Sequence, residues 1–228
     1  MKQTYENNKR RIQTFKLTAD VKDDNGVVHH FFEGYEYVEI GGIKWATCNV
    51  GAENETDSGL YFAWGETQGY TADQVGRRCG QKCFAWYDYK FGTLGNLLKY
   101  NIADGLTKLE PCDDAATQNI GSNWRMPTRE EFDALLSATT NKWRTVNGVE
   151  GKLFTDKTDE SKKLFFPAVS YCCYGIINNI GFYGYYWSSS LDTSYAIGSW
   201  DLSFLTLDCY ISYGSRCLGF PVRGVIAN

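Results

Sequence analysis

The sequence predicts an α+β fold with one or two short helices and many short antiparallel strands joined by long loops. Aromatic residues make up 16% of the chain, and Gly occurs 23 times against 4 Pro, a profile that suits short strands between tight turns. Apolar runs are brief and cut by Gly, as at Tyr37–Ile40, Ile43–Ala46 and Leu60–Trp64, and such runs read as strands. One stretch breaks that texture with a helix-start signal, Thr128-Arg129-Glu130-Glu131 after Pro127. With 228 residues, 43% of them hydrophobic, the chain can bury a substantial core in a single domain.

Residues 1–33 are the most polar stretch. Asp23-Asp24-Asn25-Gly26 is a turn between two extended candidates, Thr14–Val21 and Val27–Phe32, so this part reads as a hairpin or arm for packing, oligomerisation or attachment. The main domain, 34–228, starts near Tyr35. A first short helix is expected at Asp113-Asp114, followed by Ala115 and Ala116. Carboxylates favour a helix N-terminus, and capping is preferred there over a divalent-cation site because few other oxygens lie nearby in sequence. A second helix of about ten residues follows Thr128, with Phe132, Leu135 and Leu136 at helical spacing behind the capping box. In that region Trp124 is expected in the core and Arg125 on buried carbonyls. After Leu164 no helical period survives, and short strands with exposed loops are predicted.

Charge and composition exclude several functions. The net charge of −4 and a pI near 5.3 give no electrostatic reason to expect nucleic acid as a partner. No apolar run is long enough to insert in a membrane, and the polar start, Met1 to Arg11, shows no secretory signal. The two histidines, His29 and His30, are adjacent, which excludes mechanisms that need dispersed ones. The 8 cysteines are irregularly spaced. The tightest pair, Cys79 and Cys83, lacks the second Cys or His pair of a zinc site. No metal, cofactor or catalytic residue is expected.

The informative feature is a break in composition. All 14 Lys, 12 Glu, 6 Gln and 2 Met lie at or before Lys163, and the last 65 residues contain none. A buried strand core would account for this only in part, because Ser188 to Ser190, Thr193, Ser194, Ser199, Asp201, Ser203, Asp208, Ser212 and Ser215 are too polar for one. A binding surface of Tyr, Ser and Gly would also account for it, with Tyr195, Tyr210 and Tyr213 as contacts. So would codon chemistry. Randomising both adenines of an AAC or AAT codon yields every residue type except Lys, Glu, Gln, Met and Trp, and between Leu191 and Leu218 only Trp200 departs from that set.

Several strings carry a resemblance: Gly42-Ile43-Lys44-Trp45-Ala46-Thr47-Cys48-Asn49-Val50-Gly51-Ala52, Tyr61-Phe62-Ala63-Trp64-Gly65-Glu66-Thr67, Asp113-Asp114-Ala115-Ala116 and Trp124-Arg125-Met126-Pro127-Thr128. Further on come Leu164-Phe165-Phe166-Pro167-Ala168, Tyr186-Trp187-Ser188-Ser189-Ser190 and Gly219-Phe220-Pro221-Val222-Arg223. Together, from about Tyr37 to Val225, they resemble the major paralogous domain proteins of gut bacteria and their phages, which share the C-type lectin fold with formylglycine-generating enzymes. Gly224, where that family usually has Pro, and Cys112, where it favours an acidic residue, depart from the pattern.

With its adenine-codon tail, the chain looks like a variable protein of a diversity-generating retroelement, and the resemblance implies ligand binding and no catalysis. It implies a scaffold of Tyr186, Trp187, Ser188, Ser189, Trp200, Leu202, Phe204, Arg216, Gly219, Val222 and Arg223, and a variable region of about 171–218. The positions expected to vary and to contact ligand are Asp192, Tyr195, Ile197, Gly198, Asp201, Ser203, Leu205, Tyr210, Ser212, Tyr213, Gly214, Ser215, Cys217 and Leu218, with Cys173 and Tyr183 on the same surface. The implied partner is a protein or glycan receptor on a target cell. The implied carrier is a phage tail or other virion part, or a cell surface, with a homo-oligomer as one form of display.

Other members of the fold fit less well. Calcium-dependent lectins carry Glu-Pro-Asn or Gln-Pro-Asp and Trp-Asn-Asp, where this chain has Glu110-Pro111-Cys112 and Ser199-Trp200-Asp201. A formylglycine-generating enzyme would need a reactive cysteine pair, of which Cys209 and Cys217 are a loose echo. A fixed adhesive protein of the same fold is the competing class.

Overall fold

The computed structural model describes residues 2–75 and 83–227. It is an α+β protein with few helices and many short strands, paired antiparallel within each sheet among the described residues. Helix α1 (Lys2–Phe15) opens the chain, where an extended segment from Thr14 was predicted. Among the described residues its one buried apolar anchor is Ile12, assisted by the Tyr5 ring, 4.8 Å from that of His29, so no apolar stripe announces it. Lys16 ends it in the left-handed region at φ 47°, with the Leu17 N–H donating to the Ile12 carbonyl at 3.0 Å, a common helix stop.

The expected hairpin follows as β1 (Ala19–Lys22) and β2 (Val28–Phe32). Asp23 Oδ1 shapes its turn by accepting from the Asn25 and Val27 amides at 2.9 and 2.8 Å. Strands β3 (Tyr35–Ile40) and β4 (Ile43–Asn49) continue the sheet, and β5 (Tyr61–Phe62) and the single turn α2 (Ala72–Gln74) come next. A small ribbon, β6 (Gly92–Thr93) with β7 (Asn96–Leu97), leads to a 3-10 turn, Pro111–Asp113. Helix α3 (Ala115–Asn119) is capped by Asp114, which accepts from the Thr117 amide at 2.9 Å. After β8 (Trp124–Arg125), helix α4 (Arg129–Ala138) starts on the expected capping box. Trp124 is buried as predicted. Arg125 forms an ion pair with Glu131 as well as reaching the Met126 carbonyl.

The second half is strands: β9 (Thr139–Val146), β10 (Val149–Asp156) and β11 (Lys163–Pro167) form one sheet. The ribbon β12 (Tyr171–Cys173) and β13 (Ile176–Asn178) precedes a three-stranded sheet of β14 (Gly184–Leu191), β15 (Gly198–Phe204) and β16 (Cys209–Ser215). The chain closes with β17 (Phe220–Pro221), paired to β5, and β18 (Arg223–Ile226) between β4 and β8. The largest sheet is ordered β1-β2-β3-β4-β18-β8, so the hairpin at 19–32 extends the sheet that the C-terminal strand enters.

Two apolar clusters fill the interior. One gathers Trp64, Trp124, Trp187, Phe220 and Val222, and the other packs Trp45, Phe132, Leu135, Phe166, Leu202 and Phe204 under α4. The sheet β14-β15-β16 bridges them, with Trp187 in the first cluster and Tyr186 in the second.

Candidate functional site

The Tyr-Trp-Ser-Ser string of β14 is a buried spine. Tyr186 donates its hydroxyl proton to the Pro167 carbonyl at 2.8 Å, and Trp187 donates Nε1–H to the Phe62 carbonyl at 2.9 Å. Ser188 Oγ donates to the Trp200 carbonyl at 2.7 Å and Ser189 Oγ to Pro127 at 3.2 Å. A shift in register between Trp187 and Leu191 lets the two serines turn inward. Trp187 stacks on Phe220 with ring centroids 4.0 Å apart. Of the expected scaffold residues only Trp200 is half-buried, and the Arg129 guanidinium covers its ring at 3.9 Å.

Two buried arginines support this frame, Arg216 directly after β16 and Arg223 at the start of β18 in the larger sheet. Neither pairs with a carboxylate among the described residues. Arg216 donates to Tyr89 Oη at 3.0 Å and to the carbonyls of Tyr100, Ala196 and Lys99 at 2.9 Å each. Arg223 donates to Asn49 Oδ1 and to the carbonyls of Ala46, Thr47 and Phe165.

On this frame Tyr195, Tyr210 and Tyr213 are 54%, 48% and 57% exposed. Tyr183 is exposed as well, and Ile197, Leu205, Ser212, Ser215, Leu218 and Cys173 are half-buried. These expected contacts therefore reach solvent. The structure does not place them all on one face. Strand alternation and the unbroken register of β15 with β16 set Tyr210, Ser212 and Gly214 on one side, and Ile211, Tyr213 and Ser215 on the other. The first side continues through Asp201 and Ser203 to Tyr185, which packs on Tyr171 and Tyr183 with centroids 5.2 and 6.2 Å away. On the second side Tyr213 meets Trp200 and Tyr195 edge-on, each at 6.3 Å.

Five expected contacts are buried instead: Asp192, Gly198, Asp201, Ser203 and Cys217. β15 is the middle strand of the sheet, flanked on both edges, and Leu202 and Phe204 fill its inner face. Asp192 Oδ1 is turned back to accept from the Ser194 amide and hydroxyl at 3.0 and 2.6 Å. Cys217 belongs to the first apolar cluster. Gly198 lies against Tyr213, and Gly214 has no room for a side chain, since a Cβ there would meet the Phe220 ring at 2.8 Å.

Other sequence expectations resolve locally. Asp113 is engaged by Lys90 at 2.7 Å, Lys99 at 2.6 Å and Tyr100 at 2.8 Å, so two lysines and a phenol satisfy its carboxylate. Cys83 is disulfide-bonded, which removes it as a zinc-ligating thiolate; Cys79 lies outside the described residues. Cys209 and Cys217 are free thiols, and burial pushes both up to about 12. Neither is a ready nucleophile at neutral pH.

Sequence reasoning missed the apolar rim beside the site, where Tyr174, Ile176, Ile180 and Phe182 are exposed on β13 and its flanking turns. Tyr87 packs on Tyr174 at 6.2 Å, and the Tyr174 and Gly175 amides donate to the Phe84 and Cys83 carbonyls at 3.3 and 2.9 Å. The Asn178-Asn179 pair between apolar residues was the available signal for a projecting turn. No protein-family model, curated protein or solved structure matches this chain.

Proposed function

We propose that this protein is a ligand-binding member of the C-type lectin fold whose C-terminal third displays a surface rewritten by a diversity-generating retroelement. The observation that carries this reading is the division of labour in the tail. Tyr186, Trp187, Leu202, Phe204, Arg216, Val222 and Arg223 are buried, while Tyr195, Tyr210 and Tyr213 are exposed within the stretch that lacks Lys, Glu, Gln and Met. Tyr, Ser and Gly together give large, adaptable contact area. A phage tail or cell surface would present it to a protein or glycan receptor, and the disulfide at Cys83 suits such an oxidising setting. The burial of Gly198, Asp201 and Ser203 favours one competing reading, a fixed adhesive surface on the same fold.

Sequencing the gene's 3′ end in sibling isolates separates the two. Substitutions confined to adenine-derived codons at the exposed positions, beside a template repeat and a reverse-transcriptase gene, are the expected result. An invariant tail would leave the fixed surface. For binding itself, peptides selected from a display library on the wild-type chain should lose affinity for the triple variant Tyr195→Ser, Tyr210→Ser, Tyr213→Ser, with Tm within a few degrees. A matching drop in Tm would mark the tyrosines as structural.

A further inference from the structure

Asp201 of the candidate surface is a buried carboxylate with no ion pair among the described residues. Asp201 is 1% exposed, and its one hydrogen bond among the described residues comes from Ser203 Oγ. Two positions back on the same strand face, Ser199 is 0% exposed and its Oγ has no hydrogen-bond partner among the described residues. Register places Trp187 of β14 and Ser212 of β16 directly across from Asp201, with Tyr185 and Tyr210 across from Ser203. Buried polar groups are ordinarily satisfied within the fold, yet here two neighbours on one strand keep unused acceptor capacity. β16 is the edge strand, and Tyr210 on it is 48% exposed.

Resting on the binding role argued above, we propose that Asp201 and Ser199 form a recognition point for a cationic side chain, Lys or Arg, of a protein ligand, entered from the Ser203 end, where Tyr185 and Tyr210 stand across the strand. A carboxylate oxygen and a serine hydroxyl accept the N–H donors of an ammonium or guanidinium, and phenol faces attract the same charge. The pair is strong because the site is already dry. Burial pushes the Asp201 carboxyl up to about 7, opposed by the Ser203 bond. An incoming cation would restore its charged form.

The test uses the full isotope-labelled chain with n-butylammonium and n-butylguanidinium as probes and n-butanol as the neutral control. Backbone amide shifts at Asp201, Ser203 and Ser212 should saturate at millimolar concentrations of a cation, and not with butanol. Asp201→Asn keeps the shape and the Ser203 bond, and it should weaken the response at least about tenfold. A response shared by butanol, one unchanged in Asp201→Asn, or none to either cation overturns the proposal. Peptides selected on the wild-type chain should also be rich in Lys or Arg. Tight peptides without basic residues would leave the binding role standing and overturn this assignment alone.

Discussion

Buried guanidinium groups without carboxylates set the strictest demands in this protein. Arg216 satisfies its donors on three carbonyls and one phenol and lies 4.9 Å above the Trp64 ring. Lysine cannot reproduce that planar fork, so Arg216→Lys would leave carbonyls of Lys99, Tyr100 or Ala196 unmet. A loss of about 3 kcal/mol is expected, measured by urea denaturation. Asp201 makes an opposite, pH-dependent demand. Its folded pKa is about 7, above the unfolded value of about 3.9, so the folded state holds a proton that the unfolded state releases. Stability from this group is full below about pH 4 and declines as pH rises through 7, by at most about 4 kcal/mol. Urea unfolding of the wild type should therefore weaken between pH 5 and pH 8 relative to Asp201→Asn. Parallel pH profiles would show that the carboxyl is ionised in both states.

At the scale of elements, legibility followed local chemistry. The box at Thr128 and Glu131, the cap at Asp114 and the turn at Asp23 are side chains bonding backbone a few residues away, and the sequence alone displays them. Helix α1 hides because one buried Ile12 makes no period. The burial of Asp201 and Ser203 hides for another reason: alternation along β15 reads the same whether one face or both are covered. The exposed tyrosines were legible from composition, but their division between two faces depends on register. Close approach across β14 and β15 was equally hidden. A Cβ at Gly184 would lie 2.0 Å from Phe204 Cζ, so Gly184→Ala should cost about 2 kcal/mol or more and lower Tm; an unchanged Tm would mean that Phe204 can move aside.

Across the whole molecule, the N-terminal helix and the C-terminal sheet are unequal partners in stability. α1 touches the body chiefly through Ile12 and Tyr5, whereas β18 sits between β4 and β8 in the central sheet. Removing residues 1–17 should lower stability by about 2 kcal/mol and leave a single cooperative unfolding transition. Loss of that transition would make the helix part of the folding unit. The alternation along β16 carries a different consequence, one about inheritance. Replacing Tyr210 or Ser212 edits one surface, and replacing Tyr213 or Ser215 edits the other, so a single short stretch of gene writes two messages independently. Inserting or deleting one codon there would exchange the two messages and drive Ile211 outward. This strand can exchange its outward letters, but it must keep Gly214 and its spacing.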